Sequence, residues 1–190
     1  MCIRDRNFTD QCNNAITHTQ NITVTPIAPP AFVNPPGNLT IACNELANLP
    51  VSPTLSYTNN GILSCLTDGN VSATINNTAT ICGGNVVYTW QFTDQCNNAI
   101  NHSQTLTVTP VAPPAFINPP GNLTIPCSEA TSYNPLTLSY TNNGLDACLT
   151  SGTVAPTLQG NPPNICGSMS TYVWTFTDQC KNAILSFIHI

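Results

Sequence analysis

Residues Val86–Val108 read VVYTWQFTDQCNNAINHSQTLTV. In an extended chain Val86, Tyr88, Trp90 and Phe92 fall on one face, and Val87, Thr89, Gln91 and Thr93 on the other. That period-two alternation marks a half-buried strand. After a turn at Asp94–Asn98, the residues Ile100, His102, Gln104, Leu106 and Val108 alternate with polar neighbours. The stretch therefore predicts a long antiparallel hairpin that closes an all-β domain.

Working outward, the hairpin proves to be repeated. Phe-Thr-Asp-Gln-Cys occurs at Phe8–Cys12, Phe92–Cys96 and Phe176–Cys180, a period of 84 residues, and Tyr172, Trp174 and Phe176 keep the strand phase. Pro26–Gly37 (PIAPPAFVNPPG) returns as Pro110–Gly121 (PVAPPAFINPPG), identical at 10 of 12 positions. Cys43, Cys65, Cys82 and Cys96 return as Cys127, Cys148, Cys166 and Cys180. Such spacing defines two units, 26–109 and 110–190, preceded at 7–25 by the hairpin remnant of an earlier repeat. A period this long suits a small β-sandwich rather than a solenoid rung. Residues 1–6 should match Asn85–Trp90 but read MCIRDR, which has the look of a translated sequencing-adapter scar and is set aside. Leu185–Ile190 likewise departs from Asn101–Leu106.

Within each unit, Leu39, Ile41 and Cys43 alternate with Asn38, Thr40 and Ala42 and predict a first strand. Shorter strands are expected at Leu55–Thr58, Val71–Ile75 and Leu138–Thr141. Proline punctuates every candidate helix.

Composition narrows the function classes. Of 190 residues only 6% are charged, and Arg4, Arg6 and Lys181 are the sole cations, too few for a phosphate footprint. No apolar run approaches the roughly 20 residues of a membrane span. With 41% hydrophobic residues the chain can bury a core, while 27 Thr, 25 Asn and 12 Ser keep its surface wet.

Ten cysteines without a single CxxC pair point to disulfides and an oxidising compartment, not to zinc or a cytosolic redox motif. Cys82 and Cys96 flank a strand of about eight residues, some 26 Å at 3.3 Å each, too far apart for a bond. In an immunoglobulin-like strand order Cys43 and Cys82 share one end of the domain and Cys65 and Cys96 the other. Intradomain pairs Cys43–Cys82 and Cys65–Cys96 are therefore expected, repeated as Cys127–Cys166 and Cys148–Cys180. Cys12 corresponds to Cys96, its partner lying upstream.

The opening PPAFxNPPGNLTIxC, the mid-domain Cys and the closing YxWxFTDQCxNA before TLTVTP resemble the HYR-like (hyalin-repeat-like) domains of bacterial surface proteins, in their four-cysteine variant. Many such repeats close with Cys-Gly-Asn, where this chain has Asn97–Asn98 and Lys181–Asn182. The resemblance implies tandem immunoglobulin-like antiparallel β-sandwiches in long secreted or cell-surface proteins typical of Bacteroidota. It also implies export by a type IX-like route.

Catalytic chemistry finds little footing. The acids Asp10, Glu45, Asp68, Asp94, Glu129, Asp146 and Asp178 include no pair at a defined spacing. Asp94 and its copies precede the hairpin cysteine, where a carboxylate ordinarily holds the turn's backbone. His18 and His102 are equivalent, but Ser186 replaces the third copy. Calcium between domains would need more carboxylates than each repeat offers, and Ser151 replaces Asp68 in the second. Asn-x-Ser/Thr sequons stand at Asn7, Asn21, Asn38, Asn70, Asn76, Asn101 and Asn122 and read as polar strand surface. Tyr57, Tyr88, Trp90 and Tyr140 are the aromatics able to stack on sugars, though Tyr88 and Trp90 lie on the core face. Asn59-Asn60-Gly61 and Asn142-Asn143-Gly144 are turn signals.

The expected role is a non-enzymatic segment of a large extracellular adhesin or stalk, needing no cofactor and no metal. Its expected partners are neighbouring repeats of the same chain, with surface glycans or other cell-surface proteins as loop ligands. The alternative is a carbohydrate-binding or linker module of a secreted multidomain hydrolase.

Overall fold

The computed structural model describes residues 2–165 and 167–190, so Cys166 and any pairing of Cys127 with it lie outside the described residues. In chain order the strands begin with β1 (Cys2–Thr9), β2 (Ala15–Ile22), β3 (Ala31–Phe32), β4 (Leu39–Ala42) and β5 (Thr54–Thr58). Then come β6 (Asp68–Ser72), β7 (Thr74–Asn77), β8 (Gly84–Thr93), β9 (Ala99–Thr109) and β10 (Ala115–Phe116). The last five are β11 (Leu138–Thr141), β12 (Ser151–Val154), β13 (Thr157–Gln159), β14 (Thr171–Thr177) and β15 (Ala183–His189). The protein is all-β, and its sheets divide along the sequence repeat: β3-β5-β6 faces β4-β9-β8-β7, and β10-β11-β12 faces β13-β14-β15.

The opening stretch forms the hairpin its alternation predicts. β8 pairs β9 from Gly84↔Val108 to Thr93↔Ala99. Val86, Tyr88 and Trp90 are buried on its inner face with Leu55 and Leu106, and Phe32, Ile41 and Val71 pack against them. In the second unit Leu138, Tyr172, Trp174 and Ile188 do the same, with Phe116, Tyr133 and Leu158 around them. Each indole finds a carbonyl for its N–H: Trp90 Nε1 donates to Pro53 O at 3.0 Å, and Trp174 Nε1 to Leu136 O at 3.1 Å. A buried tryptophan leaves that donor costly unless paired.

Two expectations about single strands are corrected by the backbone. The predicted strand Val71–Ile75 is two strands, β6 in one sheet and β7 in the other, because the chain steps between sheets at Ala73. Ala73 is buried there, and its N–H donates to Pro53 O at 2.9 Å instead of a ladder partner. The first strand lies beside the last of its unit: β4 pairs β9 in parallel, from Leu39↔Leu106 to Ala42↔Thr109. It also stops before Cys43, which opens a 3₁₀ turn over Cys43–Asn48. Residues Cys2–Arg6, set aside above, complete β1 and pair with His18–Ile22, since backbone ladder bonds do not depend on the side-chain pattern. From Arg6 onward the residues of the β1–β2 hairpin are exposed.

Candidate functional site

Among the described cysteines, no two of one unit are bonded to each other. Cys43 bonds Cys148, and Cys82 bonds Cys180, each joining the first unit to the second. The expected pairs Cys43–Cys82, Cys65–Cys96 and Cys148–Cys180 are thereby corrected. The physical reason lies in the linker. β9 ends at Thr109 and β10 begins at Ala115, so five residues (110–114) bring the Cys43/Cys82 end of one unit against the Cys148/Cys180 end of the next. Sharing an end did not specify a bond between two cysteines once a facing pair lay opposite.

Each cysteine is presented by its own small turn. Cys43 begins the 3₁₀ turn, where Glu45 Oε2 accepts the Ala42 N–H at 2.8 Å. Cys82 stands at the tip of the β7–β8 connection, where Thr80 and Gly83 exchange backbone bonds at 2.9 and 3.0 Å and Thr80 Oγ1 accepts the Cys82 N–H at 3.1 Å.

On the facing side, Cys148 ends the 3₁₀ turn Asp146–Cys148, wrapped around the Asn142 side chain. Asn142 Nδ2 donates to Cys148 O at 2.9 Å, while its Oδ1 accepts from Gly144 N and Thr150 N, each at 2.9 Å. A Cβ on Gly144 would run into the Cys148 carbonyl, which explains the Asn-Asn-Gly signal. Where the second unit meets the first, Cys148 is only 3% exposed.

Cys180 lies in the Phe-Thr-Asp-Gln-Cys turn. Asp178 Oδ1 accepts the N–H groups of Cys180 and Asn182, both at 2.8 Å, and Oδ2 accepts from Asn182 Nδ2 at 2.9 Å. Asp94 and Asp10 make the same three bonds to Cys96 and Asn98, and to Cys12 and Asn14. Each loop carries one left-handed residue after the cysteine, Asn13 (φ 62°), Asn97 (φ 63°) and Lys181 (φ 65°). That is a three-residue hairpin loop with its G1 position filled by something other than glycine. Hydrogen bonds hold all three carboxylates below the usual range. For Asp94 and Asp10 the Asn98 and Asn14 side chains contribute most. Around Asp178, burial pushes upward, and the bonds from Asn182 and Cys180 outweigh it.

The linker itself is gripped from both sides. Val111, buried, donates its N–H to Ile81 O of the first unit at 2.9 Å. Ala112 O accepts from Asn142 Nδ2 of the second at 3.2 Å. Two disulfides and this clamped peptide make three covalent connections, where one would swivel and two would leave a hinge axis.

The other candidates disperse. Tyr88 and Trp90 are buried, and burial pushes the Tyr88 hydroxyl, which donates to Pro50 O at 2.8 Å, above its ordinary range. Tyr57 stacks on Phe92 and Tyr140 on Phe176, with ring centroids 3.8 and 3.9 Å apart. His102 lies against Trp90 and donates from Nε2 to Pro36 O at 2.8 Å. Among the described residues, no three His, Cys, Asp or Glu side chains gather as a metal site would require. The sequon residues Asn38 and Asn122 accept the backbone N–H of Thr105 and His189 at 2.8 and 3.0 Å. Sequence reasoning missed the joint, and its signal was present in the short Pro-rich connection between cysteine-bearing ends.

The two disulfides Cys43–Cys148 and Cys82–Cys180 in an all-β chain suit an oxidising, extracellular compartment. Residues 31–108, spanning β3 to β9 and the cysteines Cys43, Cys65, Cys82 and Cys96, match the family model of the HYR-like domain with four cysteines. That domain is a non-catalytic extracellular module of the adhesion type. No curated protein matches the chain. No helix among the described residues is long and apolar enough to cross a membrane.

Proposed function

We propose that the chain is a spacer segment of an extracellular adhesin or stalk, in which consecutive four-cysteine units are locked end to end and displayed without a hinge. The double disulfide Cys43–Cys148 and Cys82–Cys180 carries this reading. Each bond closes a loop of about 100 residues, worth roughly 4–5 kcal/mol in the chain-entropy model. Near-absence of charge leaves little in the surface for salt to alter. The aromatics that a sugar platform would expose are buried or stacked on one another, so the carbohydrate-binding alternative gains no support from them.

Small-angle X-ray scattering of the oxidised and reduced chain tests the spacer. The expected result is one narrow set of dimensions when oxidised and a broader distribution after reduction. Two independently tumbling units in the oxidised protein would refute it.

A further inference from the structure

We propose that the second unit carries a binding site for a small planar heteroaromatic with an N–H donor, of the imidazole class, in the place that His102 occupies in the first unit. There His102 stands opposite Trp90 across the β8–β9 ladder, with its ring centroid 5.7 Å from that of Trp90. Its Nε2 faces Pro36 O at 2.8 Å, and a carbonyl oxygen only accepts, so the ring nitrogen donates. Two residues on, Gln104 Nε2 donates to Gly37 O at 2.8 Å. Side chains of β9 thus close the gap between that strand and the loop ending at Gly37.

The second unit keeps the frame and lacks both side chains. Ser186 stands opposite Trp174, and Ile188, which has no donor, takes the position of Gln104. The loop is nonetheless anchored in the same way. Asn122 Oδ1 accepts the His189 N–H at 3.0 Å, as Asn38 Oδ1 accepts that of Thr105 at 2.8 Å. With the loop held out and the imidazole gone, space is left beside the strand. A concavity of about 370 Å³ opens there, lined by Ile117, Pro120, Tyr133, Leu136, Trp174 and Ile188 among others. Trp174 and Pro120 are the counterparts of Trp90 and Pro36, the two groups that His102 touches. Pro36 is half-buried, whereas Pro120 is exposed.

The ligand class follows from this lining. Apolar walls around a few polar groups are how small-molecule sites are built, and the volume falls within their usual range of about 300–1,000 Å³. The walls favour a flat apolar body. The Pro120 carbonyl can only accept, so the ligand must donate. None of the described lining residues carries a charge, so the neutral form of the ligand enters in preference to a cation.

The test titrates imidazole at about pH 8, where most of it is neutral, into the oxidised, ¹⁵N-labelled full chain. With two tryptophans the chain gives two indole N–H resonances, which W90F tells apart. A saturable shift of the Trp174 resonance is expected, with that of Trp90 unmoved. N-methylimidazole, the same ring without the donor, should bind about fivefold more weakly, the worth of one net hydrogen bond. S186H should abolish the titration by supplying the ring from within. H102S/Q104I, which copies the second unit into the first, should add a saturable shift at Trp90. No shift in the parent chain, equal movement of both indoles, equal affinity for N-methylimidazole, or undiminished binding by folded S186H would each overturn the proposal. The spacer reading rests on the disulfides and would stand in every one of those cases.

Discussion

Cys82 and Cys180 are separated by 98 residues of sequence, yet their Cα atoms lie 5.3 Å apart across the joint between the two units. No strand of one unit pairs with a strand of the other among the described residues, so the joint and the sandwiches are held by different forces. The C43S/C82S/C148S/C180S chain should keep its far-ultraviolet circular dichroism while its thermal midpoint falls. An unchanged midpoint would mean that the two bonds restrict nothing in the unfolded chain.

Gly144 is the tightest point of the Cys148 turn. A Cβ there would lie 2.8 Å from the Cys148 carbonyl carbon and 3.1 Å from Asn142 Oδ1. Gly144→Ala should cost about 1–3 kcal/mol and reduce the yield of the Cys43–Cys148 bond, as overpacking against backbone does. Gly121→Ala, with nothing within 4 Å of the new methyl, serves as the neutral control. Denaturant titration and peptide mapping read both.

Lys181 holds φ at 65°, a conformation in which a Cβ is strained. Lys181→Gly should stabilise the chain by about 1 kcal/mol, measured as a raised denaturant midpoint, because glycine occupies that region freely. Asn97→Gly should gain less, since asparagine already tolerates it.

Trp174 is fully buried and its indole N–H is committed to Leu136 O. Trp174→Phe should lose about 1–3 kcal/mol by leaving that carbonyl without its donor. Trp174→Ala should lose about 3–5 kcal/mol by adding a cavity. Trp90 remains as the fluorescent reporter in either variant.

Asp10, Asp94 and Asp178 are held below 3.8 when folded. A depressed carboxylate favours folding above its unfolded value and loses that contribution as pH falls through the lower folded one. Stability should therefore decline below about pH 3.8 in thermal scans from pH 5 to pH 2. The D94N/D178N chain should show a flatter acid limb, and one as steep as the parent would place the titration elsewhere.

Much of the architecture was legible because alternation is local. Val86–Val108 carries its own hairpin, and the Tyr-x-Trp-x-Phe copy carries its twin. The parallel β4–β9 pair was not, since it joins Leu39 to Leu106 across 67 residues and nothing in either strand states a direction. Ala73 concealed a change of sheet because a small apolar residue suits the middle of a strand as well as a crossing. The choice of partner cysteine was not legible either, since it depends on the distance between units, which Pro110–Pro114 sets and periodicity does not express.

A tether of separate domains lengthens under tension when one of them opens, paying out up to about 300 Å for 84 extended residues. Here a pull that reaches Cys43 passes straight through sulfur to Cys148, and the residues between them stay slack. Opening of the units can then release only segments outside the bonded loops and one of the two stretches between the bonds, so the length gained under load is capped by sulfur.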